Sequence, residues 1–256
     1  VDLGRRGFAQ TFGERHRVEV KTSTEAVRID PESRRIVLAT TGSNASEPVR
    51  YDAAIFAGGA DIVWPNVPGL VRGPRITGFR TADDLAAIVA AKSAGAKRAV
   101  VVGAGPYGVD AADGLRAAGF DVDVVERADR ILPSLSLLGA LAAKRSMRAR
   151  LHLKSELRAV TKHGDGFVVE LARGQIETDI VVVCTGLRPS TALLSEAGAS
   201  LNGDGSVRTT PDMQTTLPGV YACGTAVSVV HAVTRAPLWM PQAAIAARTS
   251  QIAGRN

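Results

Sequence analysis

Ala99-Val100-Val101-Val102 is a run of small and β-branched residues that passes directly into Gly103-Ala104-Gly105-Pro106-Tyr107-Gly108. A continuous apolar run suits a strand buried on both faces, as in a parallel sheet. A helical stretch follows from Pro106 to about Ala118. Asp121-Val122-Asp123-Val124-Val125-Glu126 then reads as the next strand. Strand, glycine turn, helix and strand make a βαβ unit, which places the chain in the α/β class. Gly103 permits the tight turn, Gly105 lets a ligand approach the backbone, and Gly108 lets the helix pack on the strand. Pro106 suits the first helical turn, where its missing N–H costs nothing. Free N–H groups at the helix start favour a phosphate. An acid about twenty residues after the first glycine is placed to meet a ribose, and Glu126 stands there. The pattern predicts a dinucleotide-binding turn formed by Gly103, Ala104, Gly105, Pro106, Tyr107 and Gly108.

Glu126 bears on which dinucleotide. A carboxylate there accepts from both ribose hydroxyls and repels a 2′-phosphate, which favours NADH. Arg127 and Arg130 stand beside it and would tolerate a phosphate, so NADPH stays open.

The 256 residues suffice for one large domain or two small ones. The first third reads as an antiparallel meander, with Val18–Val20, Ala26–Ile29 and Arg35–Leu38 as strands and a turn at Thr41–Asn44. Ala53–Ala57 reads as a buried strand ending at Gly58-Gly59. Residues 60–80, with Pro65, Pro68 and Pro74, read as an irregular connector. Thr81 is an N-cap for a helix running to about Ser93. Further helices are expected at about Leu135–Met147 and Gln242–Ile252. Strands are expected at Leu151–Leu153, Asp179–Cys184 and Val220–Ala222.

No stretch approaches eighteen apolar residues, so no membrane helix is expected. Two distant cysteines, Cys184 and Cys223, point to a reducing cytoplasm and read as small buried hydrophobes. The four histidines lack ligand spacing, so no metal is expected. The net charge is +6. The first part of its densest basic cluster, Lys144, Arg145, Arg148 and Arg150, sits on a helical pattern with Leu137, Leu138 and Leu141, and the cluster reads as a solvated helix face. Few aromatics are present to stack on bases, so no nucleic-acid partner is expected.

Three further segments carry a resemblance. Tyr51–Ala60 looks like a first domain-crossing strand. Asp179–Pro189, with Gly186 and Arg188, looks like a second. Thr215–Thr225, with Gly224 and Thr225, looks like a second flavin motif. Together with the glycine turn they resemble the pyridine nucleotide-disulfide oxidoreductases. The tail His231–Pro241 is similar to that of coenzyme A-disulfide reductases, NADH oxidases and persulfide reductases.

The resemblance implies a Rossmann-like NAD(P)-binding domain over 79–187, inserted in a partial FAD-binding domain over 1–78 and 188–256. It implies FAD as second cofactor, a disulfide, persulfide or oxygen as acceptor, and a homodimer. Asp110 replaces the family's usual Glu on the helix, and Thr225 its usual Asp. The family's N-terminal FAD glycine motif, redox cysteine region and C-terminal dimerisation domain find no match, so no catalytic residue is assigned. The chain reads as truncated and inactive alone. Tyr107 is a candidate cover for the nicotinamide and His231 for a proton donor, although packing and loop roles fit each. The alternative is a non-catalytic NAD(P)-binding module with a decayed flavin site.

Overall fold

The computed structural model describes residues 18–42 and 46–256. The chain forms two compact units, the first of residues up to 60 together with 189–256 and the second of residues 61–188. The sequence reading drew the first boundary at 78/79. Ile76–Gly78 hydrogen-bonds into the sheet of the unit that spans residues 61–188.

That sheet is five-stranded and parallel. Its elements are β1 (Ile76–Gly78), α1 (Ala82–Ser93), β2 (Arg98–Val102), α2 (Pro106–Ala117), β3 (Asp121–Val125), α3 (Leu137–Ser146), β4 (Arg150–His152) and β5 (Ile180–Val183). The strand order is β1-β5-β2-β3-β4. Side chains of β2, β3 and β5 alternate between two cores, as the period of two requires. Val101, Val122, Val124, Ile180 and Val182 meet Ile88, Ala111 and Leu115 of the helical layer. Val100, Val102, Val125, Val181 and Val183 face the opposite way. An antiparallel sheet of Leu157–His163, Gly166–Leu171 and Gln175–Thr178 covers them with Val160, Val169 and Leu171. Burial on both faces explains why these strands read as continuous apolar runs.

Two carboxylates lie inside this unit, each fully engaged. Asp84, 2% exposed, is the third residue of α1 and forms a capping box with Thr81. It also accepts from the Arg72 guanidinium at 2.8 Å, the Thr77 hydroxyl at 2.8 Å, and the Gly78 and Arg80 amides at 3.1 Å each. Burial pushes its pKa up, but the bonds from Thr81, Thr77 and Gly78 outweigh it and hold the carboxyl below the ordinary range. Asp123 on β3 takes Arg150 Nε at 3.0 Å, Arg150 Nη2 at 2.8 Å and His152 Nε2 at 2.7 Å from the edge strand. There too burial raises the pKa, and the Arg150 and His152 bonds bring it below the usual value.

The other unit has a meander of Thr24–Asp30, Arg35–Thr40 and Ser46–Arg50. A parallel pair joins Ala54–Phe56 to Val220–Ala222. A C-terminal helix spans Ala243–Ala253. Its core gathers Leu194, Val207, Val220, Ala222 and Val227. Three expectations are corrected. Val18–Val20 is exposed coil, since no strand among the described residues pairs with it, and Ser46–Arg50 supplies the third strand of the meander. The strand at 54–56 is only half-buried, because among the described residues it pairs on one side alone and Ile55 is exposed. The 60–80 connector contains β1, whose three residues are too short to show a period in the sequence. The leucines of α3 sit outward with the basic cluster, and Leu138 is 79% exposed. Among the described residues no helix is long and apolar enough to cross a membrane.

Asp84→Ala is expected to destabilise the chain by about 2–4 kcal/mol at pH 7, read by urea denaturation. Because the folded pKa lies below the unfolded value near ~4, the contribution is complete above that pH and fades as pH falls through the folded value. The loss should therefore shrink at about pH 3. An equal loss at both pH values would assign it to packing instead of charge.

Candidate functional site

The chain order reverses between β2 and β5, and a crevice opens there at the carboxyl ends of the strands. The cleft holds about 540 Å³. Its floor is Val102, Gly103, Gly105, Pro106 and Tyr107 after β2, and its sides are Val125, Glu126 and Arg127 after β3 and Cys184, Thr185 and Gly186 after β5. Val63, Pro65, Asn66 and Val67, with Ser155, Glu156 and Leu157, make the facing wall. The Val63 amide donates to the Gly186 carbonyl at 3.0 Å, and the Thr185 hydroxyl donates to the Val63 carbonyl, which ties that wall to the end of β5.

The three glycines of the turn do different work. Gly103 has φ +103°, a conformation that L side chains rarely adopt, and a Cβ there would collide with the Cys184 carbonyl. A Cβ on Gly108 would overlap the Gly103 carbonyl oxygen. Both are demanded by the packing of α2 on the sheet. Gly105 is the N-cap of α2 at φ −70°, an ordinary value. A Cβ there meets no heavy atom within 4 Å beyond its chain neighbours and its own helix.

Glu126 turns its carboxylate onto backbone amides. Oε2 accepts from Ala104 N–H and Oε1 from Ala128 N–H, both at 2.7 Å. Ala104 is fully buried, and Gly108 lies beneath the turn instead of in the cleft wall. Arg127 is exposed on the cleft side. Tyr107 is half-buried and packs against the helical core while lining the cleft. Burial pushes its pKa up, Arg80 pulls it down and Asp110 adds to the rise.

Asp110, Arg188, Gly224, Thr225 and His231 are not among the residues that line the cleft. Asp110 is exposed in a shallow groove of α2 with Asp113, Arg116 and Arg148. Arg188 is exposed at the end of the unit. Gly224 and Thr225 belong to the first unit, in a single 3₁₀ turn over Gly224–Ala226. The Gly224 amide donates to the Thr249 hydroxyl, and the Thr225 carbonyl accepts from Trp239 Nε1. His231 closes a tight exposed turn on Thr234. Cys184 and Cys223 are both buried, as expected. Burial, with a smaller push from the Asp84 charge, raises the Cys184 thiol to about 12. Burial also raises Cys223. The sequence reading did not include the facing wall. Pro65, Asn66 and Val67 look like connector, and nothing in their order marks them as cleft residues.

The family model described as pyridine nucleotide-disulphide oxidoreductase matches residues 5–247. An NADH oxidase of Methanocaldococcus jannaschii is 28% identical over 250 residues, covering 93% of this chain and 54% of that protein. A protein of Pyrococcus horikoshii named NAD(P)H coenzyme A polysulfide/persulfide reductase is 24% identical, over 96% of this chain and 55% of its own. The solved NAD-dependent persulfide reductase from A. fulgidus superposes with a TM-score of 0.88 at 25% identity, over 96% of this chain and 46% of that one. The chain thus spans about half the length of the curated relatives it matches. With a family model covering nearly all of its length and a fold shared with solved members, the chain belongs to the pyridine nucleotide-disulphide oxidoreductase family.

Proposed function

We propose that residues 61–188 bind a reduced pyridine dinucleotide as part of an NAD(P)H-dependent flavoprotein oxidoreductase. Gly105 carries the proposal. Gly103 and Gly108 are explained by the fold, but no contact among the described residues requires glycine at 105. A ligand passing over the backbone does require it. The first N–H groups of α2 lack partners within the helix, and the dipole adds positive potential there. A pyrophosphate supplies the oxygens and the charge that such a site takes. Glu126 and Arg127 would lie at the adenosine end, and Tyr107, Cys184 and Gly186 along the remainder of the cleft. The dinucleotide would supply a hydride, and the chain's own part is to bind it, orient it and exclude water.

The relatives named above support oxygen, a persulfide or a disulfide as the acceptor. FAD is the second cofactor in this reading, bordered by Gly224 and Thr225. Gly224 itself gives no independent sign of a ligand, since its φ of +77° already accounts for the glycine. A homodimer in a reducing cytoplasm completes the reading, in keeping with two unpaired thiols.

Calorimetric titration with NADH tests the site. Gly105→Val should weaken binding about tenfold or more while lowering stability by about 1 kcal/mol at most, the cost of a poor N-cap. Gly108→Ala should instead destabilise the fold by about 3 kcal/mol, because overpacking against backbone finds little relief. Equal NADH binding by Gly105→Val and the unaltered chain would reject the phosphate site.

The thiols make a separate test. A nucleophilic cysteine needs a thiolate, and both thiols have pKa values raised by burial. Neither Cys184 nor Cys223 should react with a disulfide reagent at about pH 8 in the native chain, and both should react once it is unfolded in urea. Rapid native labelling of Cys184 would reopen a redox role for it.

A further inference from the structure

We propose that Trp64 and Arg72 are positioning residues for the dinucleotide cleft, in which the Arg72 guanidinium, set between the Asp84 carboxylate and the Trp64 ring, holds the facing wall in place from behind. The inference rests on the dinucleotide reading of the cleft. That wall is a strap fixed at its two ends. At one end Val63 bonds to Gly186 and Thr185. At the other the Pro68 carbonyl accepts from Val160 N–H at 2.9 Å, and a Cβ on Gly69 would overlap the Val160 carbonyl. The residues between belong to no helix or strand. Among the described residues, 64–67 make no backbone hydrogen bond outside their own turn. Backbone pairing therefore leaves the middle of the strap unsupported.

Trp64 supplies the support. Its neighbours Val63 and Pro65 line the cleft, whereas Trp64 packs the other way, against the core under the antiparallel sheet. The Arg72 guanidinium carbon lies 5.5 Å from the centroid of its ring, within the range of cation–π attraction. The same guanidinium donates to Asp84 at 2.8 Å. A planar guanidinium can do both at once, stacking by its face and donating from its edge. Asp84 is itself held by Thr77, Gly78, Arg80 and Thr81, so the cation has a fixed anchor. Gly78 leaves room for the pair, since a Cβ there would stand 3.1 Å from Asp84 Oδ2 and 3.3 Å from Arg72 Nη2. The Arg72 side chain is half exposed, so these two contacts, more than burial, set where it lies. A continuous path runs from the cap of α1 through Arg72 to Trp64 and so to the cleft wall. The wall is thus held by side chains that do not line the cleft.

Two measurements on the 256-residue chain decide this. In the unliganded state the Val63 amide, which bonds the strap to Gly186, should exchange about threefold faster or more in Trp64→Leu. The Gly103 amide, bonded to the Val125 carbonyl in the cleft floor, should keep its rate. Trp64→Phe loses packing as Leu does but keeps a ring under the guanidinium, and its Val63 rate should stay within about twofold of the unaltered chain. Arg72→Lys keeps the charge beside Asp84 and gives up the planar face, so it should speed Val63 as Trp64→Leu does. NADH affinity, titrated by calorimetry, should fall about threefold or more in Trp64→Leu and Arg72→Lys and hold within about twofold in Trp64→Phe. An unchanged Val63 rate in Trp64→Leu, or equal acceleration at Val63 and Gly103, would overturn the support. Faster exchange at Val63 with unaltered NADH affinity would overturn its role in the cleft. If the unaltered chain binds no NADH, the functional reading fails, while the exchange rates still decide whether Arg72 and Trp64 hold the wall. Should Trp64→Leu not fold, Arg72→Lys carries both measurements.

Discussion

Everything in the second unit hangs on the contact between the start of α2 and the end of β2. Gly108 lies so close to the Gly103 carbonyl that a Cβ on it would overlap that oxygen. That approach fixes where the helix begins, which in turn aims its first N–H groups over the carboxyl end of the sheet. Gly103 itself has a positive φ, and a Cβ on it would meet the Cys184 carbonyl just after β5. The cleft is therefore an outcome of packing before it is a binding site. Its floor is rigid because the alternative is a steric clash.

Around this floor the unit spends buried charge to hold its loops. Asp84 gathers donors from Arg72 through Thr81 and so fixes the passage from β1 into α1. Asp123 does the same for the sheet edge, taking Arg150 and His152 from the short strand β4. Buried carboxylates are costly unless fully bonded, and here each is. Their value lies in register and loop placement: β4 is only three residues long, and backbone pairing alone specifies such a strand weakly.

How far the sequence disclosed this depended on the range of the interaction concerned. The βαβ unit was legible, because strand burial, glycine spacing and helix period are local. The helix expected from Pro106 to about Ala118 is observed at Pro106–Ala117, and Thr81 is the cap it was expected to be. Val18–Val20 alternates as a strand would, but alternation without a partner makes no sheet. Asp84 looked like one of two acids in a first helical turn, and its five donors come from residues that only the fold assembles. Glu126 was legible as an acid in the right place, while the direction of its carboxylate was not, since that depends on the Ala104 and Ala128 amides. The wall from Val63 to Val67 was hidden for the same reason. Its residues have no local pattern, and they reach the cleft through the bonds at Gly186 and Thr185.

Cys184 shows how this packing also limits the chemistry. Its side chain lies 3.5 Å from where a Cβ on Gly108 would stand, and it belongs to the core beneath α2. A larger residue would push the helix off the strand, so a small apolar side chain is what the position needs. The same enclosure keeps water away and raises the thiol to about 12, far from a thiolate at neutral pH. A sulfur can therefore border the cleft without taking part in electron transfer. The enclosure that lets the helix meet the sheet also favours the neutral form of that sulfur.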